Sequence, residues 1–96
     1  MTLEEFQTSI GAQDAPGGDL DPALQALWWD ARGDWEKAHG LCQQAGSPAG
    51  DWVHAYLHRK EGDEGNASYW YSRAGKPKPA VPLDEQWRAI AAALLG

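Results

Sequence analysis

The residues best suited to chemistry crowd into one stretch. All three histidines lie between His39 and His58, and with the only cysteine they form His39-x2-Cys42-x11-His54-x3-His58. Spacings of three and four residues place each pair on one face of a helix. Imidazole nitrogen and thiolate sulfur are also the donors that hold zinc. In a hairpin turning near Ser47 and Pro48, Cys42 falls level with Val53, and His54 and His58 fall level with Leu41 and Lys37, so all four side chains can meet between two helices. An imidazole also titrates near neutrality, which would let His54 or His58 act as a general base beside Glu61 or Asp51. No phosphate loop or nucleophile motif accompanies them, so an enzyme is not the leading expectation. Packed histidines bonded to carbonyls or to Tyr and Asp side chains, with Cys42 as a small core hydrophobe, account for the same residues. The set His39, Cys42, His54 and His58 is therefore carried as the alternative, a small metal-binding or hydrolytic protein, and no cofactor is expected.

Aromatic residues are the second feature. Trp28, Trp29, Trp35, Trp52, Tyr56, Tyr69, Trp70, Tyr71 and Trp87 are more than so short a chain can hide completely. Neighbours on a helix point about 100° apart, so Trp28 and Trp29 cannot both face one core, nor can Tyr69, Trp70 and Tyr71. Exposed apolar patches mark interfaces. Trp28, Trp29, Trp52, His54, His58, Tyr69 and Trp70 are the residues expected to line a groove for a protein or peptide partner, and a second copy of the chain is a further candidate through the same aromatics.

Charge narrows the partners. The 14 acidic and 8 basic residues give a formal charge of -6, which repels nucleic acid. Residues 1–36 hold eight acids and one base (-7), and residues 37–96 hold six acids and seven bases (+1), so the acidic half would rim the groove and steer a basic partner. Arg73, Lys76 and Lys78 are expected to neutralise the carbonyls ending the helix before them. One cysteine permits no intramolecular disulfide, the first ten residues lack the features of a signal peptide, and the longest apolar run, Ala89 to Leu95, is too short to cross a bilayer. A cytoplasmic protein without membrane contact is expected.

Six helices must position these groups. Thr2 and Glu5 have capping-box spacing ahead of Leu3, Phe6 and Ile10, which predicts a first helix ending at Gly11. Asp21-Pro22 starts a second, reaching about Arg32. Gly33-Asp34 ends it and begins a third, about Trp35 to Ala45. Asp51 is expected to cap a fourth, which Gly62-Asp63 closes before a fifth from about Glu64 to Ala74. Pro77, Pro79 and Pro82 make an extended strap. The last helix, from about Leu83 to Leu95, carries Leu83, Trp87, Ile90, Ala91 and Leu94 on one stripe and is expected to close the open end of the stack.

The chain repeats itself. A shift of 29 residues sets Ala26 on Ala55, Gly33-Asp34 on Gly62-Asp63, Ala38 on Ala67, and Ala45-Gly46 on Ala74-Gly75. Small residues at these places let two helices approach closely. The segment Gly33-Asp34-Trp35-Glu36-Lys37-Ala38, followed by Cys42 and Ala45, resembles the turn and second helix of the tetratricopeptide family, with cysteine in place of an aromatic. Asn66 to Gly75, with Ala67, Trp70, Tyr71 and Ala74, is similar to the second helix of the related Sel-one-like repeats. The resemblance covers about residues 22–75 and implies helical hairpins at 22–46 and 49–75, with His54 and His58 where the family has a core leucine and a core aromatic. Two units fall short of the roughly three that such arrays need. The expected fold is therefore an all-α compact bundle of about six helices in a single domain, 1–96, capped at both ends, with 83–95 as the C-terminal cap. The function that the resemblance implies is a small protein–protein interaction module.

Overall fold

A computed structural model describes all residues from Met1 to Gly96 and contains six helices and no strand: α1 (Leu3–Ala12), α2 (Pro22–Ala31), α3 (Trp35–Ala45), α4 (Pro48–Lys60), α5 (Glu64–Ala74) and α6 (Leu83–Leu95). Local chemistry sets most boundaries. At α1 the Glu5 N–H donates to Thr2 Oγ1 at 3.1 Å and the Thr2 N–H donates to Glu5 Oε1 at 2.8 Å, a complete capping box. Asp21, Asp34 and Asp63 each accept a backbone N–H at the start of α2, α3 and α5.

The fourth helix corrects the expectation. It begins at Pro48, capped by Ser47 Oγ, which accepts the Gly50 N–H at 3.1 Å. Proline needs no donor in a first turn, so the helix starts earlier than a cap at Asp51 allows. Asp51 lies inside the first turn and faces Arg73 Nε at 3.6 Å. Of the basic residues expected at the end of α5, Arg73 lies in its last turn, whereas Lys76 Nζ lies 4.4 Å over the Trp52 ring and Lys78 Nζ is 3.0 Å from Glu64. These cations reach back along the hairpin because Gly75, left-handed at φ 69°, turns the chain there.

The two hairpins share one turn. Gly33 and Gly62 have φ of 84° and 87°, values open to glycine at little cost. The following N–H groups donate five residues back, Asp34 to Trp29 O and Asp63 to His58 O, each at 2.9 Å. Ala26, Ala38, Ala55 and Ala67 are all fully buried, as close helix approach requires.

The main core joins Phe6, Leu24, Leu27, Trp28, Val53, Leu57, Trp87 and Ile90. Helix α6 packs on α4, α2 and α1, so it lies across both hairpins rather than only closing the second. Trp87 Nε1 donates to Leu27 O at 3.1 Å, and its ring stacks on Phe6 with centroids 5.8 Å apart. Arg59 holds the strap by donating to Gln86 Oε1 at 2.7 Å and to Val81 O at 2.6 Å. Buried Asp30 accepts from Tyr56 Oη and Lys60 Nζ, both at 2.9 Å, which compensates its lost hydration. No helix is long and apolar enough to cross a membrane.

Candidate metal centre

Helices α3 and α4 run back on each other through Gly46 and Ser47, and this brings His39 on α3 opposite His54 and His58 on α4. One nitrogen from each ring lies within 4.8 Å of the others. The closest pair is His39 Nε2 and His54 Nε2, at 2.9 Å. Ring centroids are 4.5 Å apart for His39–His54, 5.3 Å for His39–His58 and 4.9 Å for His54–His58. His54 and His58 are buried and His39 is half-buried.

Aromatic rings hold this cluster on two sides. Trp35, one turn before His39, stacks on it at 4.8 Å and 13°, and Trp70 of α5 stacks on His54 at 4.0 Å and 16°. Trp35 is itself fixed by its Nε1, which donates to Leu57 O at 3.2 Å. Below the cluster, His58 Nδ1 and Glu61 Oε1 are 2.5 Å apart. The Gly62 turn ends α4 at this point and so places the Glu61 carboxylate against the ring.

The protonation states follow from these contacts. A carboxylate at Nδ1 fixes the proton there, which leaves the lone pair of a neutral His58 ring on Nε2. This carboxylate–histidine arrangement orients metal-binding imidazoles and raises their basicity. Burial, followed by the charges of His39 and His58, pushes His54 down to about 4. Burial, then His58, also lowers His39, against an opposing pull from Glu61. Both rings are thus neutral at pH 7, the form that ligates. His39 and His54 bond only each other through Nε2, one as donor and one as acceptor, so their tautomers are opposite. Every buried side-chain nitrogen and oxygen has a partner in this arrangement.

Cys42 does not join the histidines. Three residues along a helix turn the side chain about 60° from its starting direction, and this carries Cys42 into the main core, where burial pushes the thiol up to about 12. The expected aromatic groove also needs correction. Trp28 is fully enclosed, with Nε1 donating to Ser9 Oγ at 3.0 Å, and has no surface to offer. His54 and His58 are buried as well. Trp29 is half-buried under Lys37 Nζ, 4.1 Å from its ring, and Trp52 is half-buried under Lys76. Tyr69 is 54% exposed and meets the partly exposed Trp70 edge-on at 5.0 Å. No cavity gathers these aromatics. The largest cleft, about 480 Å³, is lined by Ile10, Asp30, Tyr56, Leu83, Trp87 and Arg88 and does not touch the histidines.

Trp35 lies outside the site residues expected from sequence, although its four-residue spacing to His39 is a usable signal. Glu61, considered only as a partner for a general base, proves to be the residue that orients His58.

The chain matches no family model, no curated protein and no solved structure.

Proposed function

We propose that this protein binds one first-row divalent cation, Zn2+, through His39, His54 and His58. The observation that carries the reading is the convergence of three ring nitrogens within 4.8 Å, two of the rings being neutral at pH 7 and the third held by Glu61. Imidazole suits zinc, copper and nickel, and a compact set of three ring nitrogens fits zinc. Zn–N bonds of about 2.0 Å place ligand nitrogens roughly 3.3 Å apart in a tetrahedron, so the His39–His54 contact opens by a few tenths of an ångström as the donor ring shifts its proton from Nε2 to Nδ1 and both Nε2 lone pairs turn to the ion. Packed histidines more often bond carbonyls or carboxylates; here two of three bond each other, and this favours the metal over packing alone.

Calorimetric titration of tag-free protein with zinc chloride tests the proposal. One ion per chain is expected, with the heat lost in His54→Ala. Zinc at a hundredfold excess over its Kd should raise the unfolding free energy by about 2.7 kcal/mol. No saturable heat, or the same heat in His54→Ala, contradicts it.

A second reading, a cytoplasmic interaction module for a protein or peptide, is favoured by the exposure of Tyr69 beside Trp70 and by the resemblance to helical-hairpin repeats. The most directly testable occupant is a second copy of the chain. Sedimentation equilibrium should show self-association that Tyr69→Ser weakens; a wild-type chain that stays monomeric removes this occupant.

A further inference from the structure

A zinc ion with four protein ligands is structural, whereas one with three keeps a position for an outside ligand. Each neighbour of the histidine cluster can be tested as a fourth donor. Cys42 is in the core with Phe6, Leu27 and Val53, outside the group of converging donor atoms. Glu61 is bonded to His58 Nδ1, and the two nitrogens of an imidazole direct their lone pairs away from each other, so a carboxylate at Nδ1 is not at a metal on Nε2. Asp63 converges with Glu61 on His58, their donor atoms within 4.8 Å of one another, but both its oxygens are engaged in capping α5, Oδ1 accepting the Asn66 N–H at 3.2 Å and Oδ2 accepting Asn66 Nδ2 at 3.1 Å. The remaining ring neighbours, Trp35 and Trp70, carry no ligating atom, and the Trp35 N–H is already donated to Leu57 O.

From this we infer that the ion held by His39, His54 and His58 is open at its fourth position, which takes water or a compact exogenous anion such as a carboxylate. The inference rests on the metal-binding reading. Anions are the favoured class because imidazole ligands carry no charge to offset that of the ion, and the two carboxylates near His58 are engaged by His58 Nδ1 and by Asn66. Half-buried His39 marks the side from which such a ligand enters, since His54 and His58 are closed off by the packed helices. Trp35 and Trp70 stack on His39 and His54, and no cavity opens beside the three rings, so only a compact ligand fits without moving the helices.

Cobalt substitution reports both claims separately. Tag-free protein titrated with cobalt chloride should develop a visible d–d spectrum that saturates at one ion per chain. Addition of sodium azide should then shift that spectrum saturably, at one azide per cobalt. The near-ultraviolet should carry no sulfur-to-cobalt charge-transfer band, and Glu61→Gln, which needs more cobalt to saturate because His58 loses its orienting carboxylate, should once saturated still take one azide per cobalt. A charge-transfer band, meaning that Cys42 closes the shell, overturns the open position, and so does a bound-cobalt spectrum indifferent to azide. An azide response that appears only in Glu61→Gln makes Glu61 the fourth ligand and overturns it too. Absence of any protein-bound cobalt spectrum overturns the metal site itself.

Discussion

The first helices of the two hairpins, α2 and α4, begin from the same plan and end in different chemistry. At the 29-residue shift Gln25 corresponds to His54, Trp29 to His58 and Arg32 to Glu61, while Ala26 and Ala55, and the Gly-Asp turns, are held in common. In α2 the two side chains are half-buried: Gln25 Nε2 donates to Leu20 O at 2.8 Å, and Trp29 lies under Lys37. In α4 the same places are buried, because α4 has α3 on one side and α5 on the other. The difference teaches that the small residues and the glycine turns build the hairpin, whereas the chemistry is set by which neighbour covers the variable positions. A polar residue on the less covered face of α2 is satisfied by a nearby loop carbonyl, as Gln25 is by Leu20 O. On the covered face of α4 it must meet another polar group, and His39 is that group.

The largest effect that can sharpen this contrast comes from acid. His54 has a folded value of about 4 against an ordinary value of 6.5. A depressed folded pKa means that the unfolded chain binds the extra proton first. Its contribution is therefore present above pH 6.5, is lost as pH falls towards 4, and is constant below that. The loss amounts to up to about 3 kcal/mol. Urea unfolding of metal-free protein at pH 7, 5.5 and 4 should show it, and His54→Leu should remove that part of the pH dependence. An identical pH profile in the variant would mean that α4 does not hold His54 neutral.

Overpacking the shared contacts comes next. Ala38→Leu and Ala67→Leu should each destabilise by about 1–3 kcal/mol, since both side chains are fully enclosed between the helices of their hairpins. A neutral melt for either would break the equivalence of the two hairpins. Gly33→Ala and Gly62→Ala should each cost about 1–2 kcal/mol, the penalty of a left-handed residue bearing a Cβ. Near-equal costs, with zinc uptake weakened only by Gly62→Ala, would separate scaffold from site; weakening by Gly33→Ala would contradict that separation. The smallest effect belongs to Gln25→Ala, expected to change stability by about 0.5 kcal/mol or less and to leave zinc uptake unchanged, as a calorimetric titration would show.

Much of the scaffold was legible because its signals are local. Thr2 with Glu5, Asp21 with Pro22, and the two Gly-Asp pairs each determine a helix end through groups only a few residues apart. At α4 two capping signals compete: the Asp51 carboxylate is the stronger in sequence, yet Ser47 followed by Pro48 reaches the free N–H groups first. The site was only partly legible. His54 and His58 share a face by spacing alone, whereas the inclusion of His39 and the exclusion of Cys42 depend on how α3 rotates between α2 and α4. That rotation is tertiary, set by Ala38 and Cys42 turning into the core. Burial of Trp28 rather than Trp29 has the same origin: Phe6, Ser9 and Trp87 surround one face of α2, and no sequence period tells which of two adjacent tryptophans they cover.

The central claim, that three histidines hold an ion whose fourth position is open, is tested most directly by X-ray absorption at the zinc edge. Tag-free protein loaded with one equivalent of zinc and dialysed should retain the metal. Its spectrum should show four light-atom neighbours at about 2.0 Å, with the outer-shell scattering of three imidazoles. Loss of the zinc on dialysis, a sulfur neighbour at about 2.3 Å, or fewer than three imidazoles would contradict the account.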